Sequence, residues 1–179
     1  MVRAADAVAM PWRNGGGVTR QYVSHPADDR FDWRVSVAEV AQSGPFSAFP
    51  DIDRILVLLS GNGMVLRADG AEVPMHRLDA HRFAGEQEVH AELLDGPTTD
   101  LNLFWRRHAF TAQVEVRALP CEVPNGQPGL VFVVEGSAEL PDGTVLAAGD
   151  LVVLDEAMGL QGAGTAVVFA LQPVRGACL

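Results

Sequence analysis

The sequence predicts an all-β protein made of short strands arranged as barrels or a sandwich. Three observations predict this fold class. Apolar residues rarely recur at helical spacing, strand-like runs bounded by glycine, proline, aspartate and asparagine recur along the chain, and a strand–glycine–strand pattern occurs in each half. Hydrophobic residues make up 48% and charged residues 20% of 179 residues, which is the balance of a folded protein.

The predicted strands are short runs rich in β-branched and aromatic residues, and each ends at turn residues. Such closely spaced strands are typical of barrels and sandwiches. In chain order they are Val18–Ser24, Trp33–Val40, Arg54–Ser60, Gly63–Ala68, His90–Leu94, Asp100–Arg107, Ala112–Ala118, Gly129–Val134, Ser137–Leu140, Leu151–Leu154 and Thr165–Gln172.

The C-terminal part has the clearest turn signals. Gly136 separates two apolar runs, and Gly149-Asp150 leads into a further strand, because glycine takes positive φ and aspartate bonds its own backbone. This succession of turns resembles a cupin barrel. The N-terminal part repeats the pattern, with Gly61-Asn62-Gly63 in the place of Gly136. We therefore predict two cupin-like halves in one chain, residues 1–108 and 109–179, which is a bicupin.

Charge restricts the class of ligand. The net charge is −10 and lysine is absent, so nucleic-acid binding and lysine Schiff-base chemistry are not expected. Residues 1–108 contain 11 of the 13 arginines, so an anionic ligand is expected in the first half. The apolar runs are too short for a membrane span and the N-terminus lacks an apolar signal-peptide core, which predicts a cytoplasmic protein without a membrane partner.

Metal binding is not expected. Metal-binding barrels of this kind need imidazoles at i and i+2 on a strand face, and no histidine follows Gly61 or Gly136 within the next strand. His76, His81 and His90 lie in or beside a polar connection, where solvated loop histidines are favoured over a structural metal site. We therefore predict no metal and no cofactor.

The segment Pro11–Arg20 contains three consecutive glycines, which permit close approach of a ligand to the backbone. One interpretation is a flexible rim with Trp12, Arg13, Asn14 and Thr19 as ligand contacts. The other is a turn that lets a strand cross the barrel edge.

The segment Phe31–Val40 reads as a strand with Arg34, Ser36 and Ala38 on one face. Small residues beside an arginine favour a polar cavity in which the guanidinium grips a carboxylate in bidentate fashion. A solvent-facing strand is the alternative. Glu39 falls on the opposite face and is expected to pair with an arginine.

Two further segments supply candidate residues for the same cavity. Arg54 opens a strand after a stiff connection, in which core packing is favoured over stacking on a ligand for Phe46 and Phe49. Asn102 shares a strand face with Asp100 and Phe104, and a strand asparagine needs hydrogen-bond partners. We therefore expect Arg54 and Asn102 to complete the ligand site.

Four motifs occur in order along the chain, namely Pro11–Arg20, Phe31–Val40, Gly44–Arg54 and Asp95–Leu103. Together they resemble the HutD/Ves family. The resemblance implies a metal-free bicupin, and it links the chain to bacterial histidine utilisation, as a binder or regulator that responds to an intermediate such as N-formylglutamate. Ves-like members are described as stress-induced proteins, and the family offers no catalytic residue set to transfer.

We predict a non-enzymatic protein that binds a small carboxylate. The alternatives are a cofactor-free isomerase or hydrolase, for which Glu39, Asp100 and His108 are the available acid/base groups, and a structural docking protein. Exposed sheet edges also predict a homodimer.

Overall fold

The computed structural model describes residues 1–12, 15–27, 30–124 and 128–174, which divide into two compact units. The N-terminal unit is Val8–His108, and the C-terminal unit combines Met1–Ala7 with Ala109–Leu179. The first seven residues therefore lie outside the half in which the sequence placed them. The backbone of Val2 pairs with Leu151, and the Asp150 carboxylate accepts hydrogen bonds from Arg3 and the Ala4 amide.

The N-terminal unit contains two antiparallel sheets. The six-stranded sheet has the order β1-β2-β3-β10-β5-β8, and the four-stranded sheet has the order β4-β9-β6-β7. Their bounds are β1 Val8–Pro11, β2 Gly17–His25, β3 Trp33–Val40, β4 Gly44–Pro45, β5 Ile52–Ser60, β6 Met64–Ala68, β7 Ala71–Met75, β8 Ala80–Ala84, β9 His90–Leu93 and β10 Thr98–Arg106.

An apolar cluster joins these two sheets. Leu56 and Leu58 of the six-stranded sheet belong to the same buried cluster as Met64 and Leu66 of the four-stranded sheet. Alternation along β5 turns these leucines and Arg54 towards the interior. The sheets therefore form a sandwich whose inner face also carries buried polar side chains, among them Arg54 and Asn102.

The C-terminal unit is built on one sheet in the order β11-β15-β12-β13, with β14 also paired to β12. Its core is a cluster of buried aliphatic residues that includes Val131, Leu146 and Val168. A short 3-10 helix, Ala4–Asp6, precedes the strands β11 Phe110–Val123, β12 Gly129–Glu139, β13 Val145–Ala147, β14 Leu151–Leu154 and β15 Met158–Pro173.

The two glycine turns of the predicted repeat do not form hairpins. The Gly61–Gly63 segment carries the chain from β5 in one sheet to β6 in the other, because both strands pair with other partners. Gly136 lies inside β12, where it has a φ of 78° and a Cβ would lie 2.0 Å from the Ala163 carbonyl oxygen. Gly136 thus permits an irregular step in a continuous strand rather than a turn between two strands.

The sequence does not predict β1, β4, β7, β8 and β13. Their exposed or mixed patterns lack the apolar runs that predict strands. His81 lies in β8 rather than in a connection, whereas His90 opens β9, the strand that the sequence predicts from this residue. Within the described part of the chain, no helix is long and apolar enough to cross a membrane.

Candidate functional site

A cavity of about 510 Å³ opens in the N-terminal unit. Its floor comes from the strands β2, β3, β5 and β10 of the six-stranded sheet. Its other walls come from the edge strand β1, from Trp12, from β4 and from the segment between β4 and β5. The floor residues are Thr19, Arg34, Ser36, Ala38, Arg54, Asn102 and Phe104. The remaining lining residues are Met10, Pro11, Trp12, Pro45, Phe46, Ser47 and Phe49.

Strand register explains how the floor assembles. Phe104 of the central strand β10 lies opposite Arg34 on β3 and opposite Arg54 on β5. One row further along, Asn102 lies opposite Ser36. Because side chains at i and i+2 share a face, both rows face the cavity. The aromatic ring of Phe104 therefore sits between two guanidinium groups.

Arg34 is held by aromatic rings. Its guanidinium carbon lies 4.5 Å from the ring centre of Phe31, 4.6 Å from that of Phe104 and 5.4 Å from that of Phe49. The buried Nε has no hydrogen-bond partner among the described residues. Burial lowers the pKa of Arg34. An arginine with an unused buried donor is suited to an incoming anion.

Arg54 is buried and has an internal partner. Its Nε and Nη2 donate to Asn102 Oδ1 at 2.8 and 2.6 Å, and its guanidinium carbon lies 4.4 Å from the Phe46 ring centre. Burial lowers the pKa of Arg54 to about 10, while Asp100 opposes and Arg34 reinforces that shift. Arg54 is therefore charged at neutral pH.

Asp100 lies fully buried behind Asn102. The Asn102 amide Nδ2 donates to Asp100 Oδ2 at 2.5 Å, and Arg54 Nη2 lies 3.8 Å from the same oxygen. Asp100 Oδ1 has no hydrogen-bond partner in the described part of the chain. Burial raises the pKa of Asp100 to about 6, against the opposing effects of Arg54 and Asn102. Above pH 6, Arg34, Arg54 and ionised Asp100 together carry a net charge of +1.

Trp12 is fixed at the cavity rim by Thr19 and Gly17. The indole Nε1 donates to Thr19 Oγ1 at 2.8 Å, and the Trp12 amide donates to the Gly17 carbonyl at 2.9 Å. A Cβ on Gly17 would lie 2.3 Å from the Glu39 carbonyl oxygen and 3.1 Å from the Trp12 ring. Only glycine lets β2 run this close to both neighbours.

Six of the eight predicted site residues line this one cavity, namely Trp12, Thr19, Arg34, Ser36, Arg54 and Asn102. Arg13 and Asn14 lie outside the described residues. That any of these residues binds a ligand remains a prediction. One expected role changes, because the hydrogen bonds of Asn102 go to Arg54 and Asp100 rather than to the open cavity.

The residues that the sequence analysis missed come from irregular segments. Core packing is the favoured prediction for Phe46 and Phe49, but they line the cavity, as in the alternative, and face the two arginines. Their connection has no regular alternation, so no pattern assigns their direction. Phe104 carried a usable signal, since it shares the inward face of β10 with Asn102.

The available acid/base groups are not brought together. Glu39 is exposed and pairs with Arg20 at 3.1 Å, while Asp100 is buried on the other face of the sheet. His108 follows the opposite end of β10 and lines a separate hollow. Among the described residues, no group of three or more histidine, cysteine, aspartate or glutamate side chains could hold a metal ion. The expectation of a metal-free, cofactor-free protein stays a prediction.

Comparisons with known proteins identify relatives of this chain. The HutD family model matches residues 4–170. Protein Ves of Cronobacter sakazakii (strain ATCC BAA-894) is 39% identical over 144 residues, covering 76% of this chain and 78% of that protein. An uncharacterized 21.2 kDa protein in the hutC 3' region of Pseudomonas putida is 38% identical over 118 residues, covering 64% and 62%.

The solved structure of HutD from Pseudomonas fluorescens SBW25 (formate condition) superposes with a TM-score of 0.87 at 29% identity, covering 97% of each chain. The predicted fold class is confirmed as all-β and cupin-like, although the sheets form a cupin-like β-sandwich and do not close into barrels. The match of the family model over nearly the whole chain and the resemblance of the four motifs agree. The chain belongs to the HutD family.

Proposed function

We propose that the cavity of the N-terminal unit binds a small carboxylate and that the protein acts by binding rather than by turnover, as a modulator of histidine utilisation. The observation that carries this proposal is Arg34, whose guanidinium lines the cavity with a buried donor that no described residue uses. A carboxylate accepts two parallel hydrogen bonds from such a group.

The electrostatics favour an anion. Arg34 and Arg54 carry two positive charges, and Asp100 offsets one of them. No described carboxylate pairs with Arg34, whereas the exposed arginines 20, 67 and 82 each pair with a carboxylate. A bound carboxylate would therefore compensate the charge that the protein leaves uncompensated in a partly enclosed cavity.

The shape favours a small organic acid. A volume of about 510 Å³ lies in the range of small-molecule sites and exceeds the needs of a single inorganic anion. Aromatic and proline side chains form much of the wall and suit the carbon skeleton of the ligand. The Ser36 side chain also lines the cavity, and its hydroxyl supplies a further hydrogen bond to the ligand.

N-formylglutamate is the ligand we propose to test first, because the HutD family resemblance links the chain to histidine utilisation. The similar structure of HutD from P. fluorescens is that of a formate condition, and formate is the smallest carboxylate. A homodimer and a cytoplasmic location remain part of the proposal.

Calorimetric titration of N-formylglutamate into the full chain tests the proposal, with parallel NMR detection of released formate and glutamate. We expect saturable binding at one site per chain without product. N-formylglutamine amide, which lacks both carboxylates, is the control ligand and should not bind. Release of formate would favour the alternative, a hydrolase, and an absence of both heat and product would contradict carboxylate binding here.

A further inference from the structure

We propose that Asp100 is a positioning residue that acts through Asn102 and Arg54 to set the charge of the cavity, so that the cavity favours ligands that place one carboxylate inside it. This inference rests on the proposed function. It adds a role for a side chain that does not line the cavity.

Asp100 is linked to the cavity floor by a chain of hydrogen bonds. Asp100 Oδ2 accepts a hydrogen bond from Asn102 Nδ2, and Asn102 Oδ1 accepts two hydrogen bonds from Arg54. Both ends of the Asn102 amide are therefore engaged, which fixes its orientation. Arg54 in turn is fixed behind the Phe104 ring, at 5.0 Å from the ring centre. A change at Asp100 thus reaches the cavity floor through one amide.

The surroundings of Asp100 do not suit a purely structural role. Its side chain is 0% exposed, yet Oδ1 has no hydrogen-bond partner in the described part of the chain. Its nearest guanidinium nitrogen, Arg54 Nη2, is 3.8 Å from Oδ2, beyond hydrogen-bond distance. A buried carboxylate with one unpartnered oxygen lowers the stability of the folded protein. A role in ligand binding would account for its presence at this position.

The charges around Asp100 come from the neighbouring strands. On the neighbouring strands β5 and β3 the charged groups that share the face of Asp100 are Arg54 and Arg34, while Asp53 and Glu39 lie on the opposite face. His81 of β8 lies one strand further out. The cluster that faces them from the four-stranded sheet is apolar. Ionised Asp100 therefore leaves a net charge of one positive unit, which one carboxylate neutralises, while a second carboxylate in the cavity would be uncompensated.

The test uses Asp100→Asn and two probes that differ by one charge, N-formylglutamate and N-formylglutamine. We expect the two probes to bind the unmodified protein within about threefold of each other at pH 7.5. In Asp100→Asn both should bind more tightly, and the affinity ratio should move at least about threefold towards N-formylglutamate. Asp53→Asn, an equal change on the opposite face of β5, is the matched control and should leave the ratio unchanged.

A pH series on the unmodified protein gives a second readout that needs no variant. The affinity for N-formylglutamine should rise about three- to tenfold from pH 7.5 to pH 5, because Asp100 becomes protonated while the probe, with a carboxyl pKa near 3.5, stays ionised. An unchanged ratio in Asp100→Asn, or a flat pH series, would overturn the role of Asp100 alone. Failure of both probes to bind the unmodified protein would instead overturn the proposed function and this inference with it.

Discussion

Asn102 accepts two hydrogen bonds from the buried guanidinium of Arg54, at 2.8 and 2.6 Å, through one amide oxygen. The amide nitrogen of the same side chain faces Asp100. This arrangement separates the two arginines of the cavity by role. Arg54 is held by the protein and contributes its charge, whereas Arg34 keeps a donor without a partner among the described residues.

We expect Asn102→Leu to lower the free energy of unfolding by about 2–4 kcal/mol, because it leaves the buried charge of Arg54 without its acceptor. In an Arg54→Met background the same change should cost at least about 1 kcal/mol less. Urea denaturation of the two single variants and the double variant measures this coupling. Additive losses would contradict the pairing of these residues as the source of the effect.

Asp100 should make the stability depend on pH. Its folded pKa of about 6 lies above the ordinary value, so between pH 4 and 6 the folded state holds more protons than the unfolded state. The contribution of Asp100 is therefore most favourable below pH 4 and declines as the pH rises to 6. Between pH 4 and pH 7 the free energy of unfolding of the unmodified protein should fall, relative to Asp100→Asn, by about 1–3 kcal/mol.

Chemical denaturation of both proteins at four pH values measures this difference. Comparison with Asp100→Asn removes the opposite effect of groups such as Asp150. Burial raises the pKa of Asp150, but hydrogen bonds with Ala147 and Arg3 lower it below its ordinary value. Parallel curves for the two proteins would show that Asp100 does not carry a raised pKa.

Gly17→Ala should disturb the cavity rim. The added methyl group would lie 2.3 Å from the Glu39 carbonyl oxygen and against the Trp12 ring, so the β2–β3 pairing or the indole must shift. We expect a loss of about 1–3 kcal/mol in unfolding free energy and a changed tryptophan emission spectrum. Gly44→Ala is the control, since a Cβ there meets nothing within 4 Å. Equal stability of the two variants would contradict the close packing at Gly17.

Alternation predicted the part of the site that lies on regular strands. The strand Trp33–Val40 has the bounds that the sequence predicts, and it presents Arg34 and Ser36 to the cavity as expected. The same rule placed Asn102 and Phe104 on one face of β10. These residues could be predicted because a strand has one repeat and one inward face.

The partners of those residues could not be predicted from the sequence. Arg54 and Asn102 are 48 positions apart and meet only because β10 lies between β3 and β5, which is a matter of strand order. Local pattern also gave no sign that Asn102 would be fully engaged by Arg54 and Asp100. The Gly61–Gly63 segment looked like a hairpin because a turn within one sheet and a crossing between two sheets have the same local sequence.

The central claim is that Arg34 anchors a carboxylate, and titration of N-formylglutamate into Arg34→Met tests it most directly. This change keeps most of the apolar stem and removes the charged fork. A charge-assisted contact in a partly dry cavity contributes on the order of 1.5–3 kcal/mol.

Arg34→Lys and Arg67→Met complete the experiment. Lysine should restore affinity only in part, because a point charge cannot make two parallel hydrogen bonds. Arg67 is exposed and pairs with Glu92 at 2.8 Å, so Arg67→Met should leave affinity unchanged. Thermal melts of all variants separate a loss of binding from a loss of fold. For Arg34→Met the account predicts a roughly ten- to hundredfold weaker affinity with the fold retained, and an affinity equal to that of the unmodified protein would contradict it.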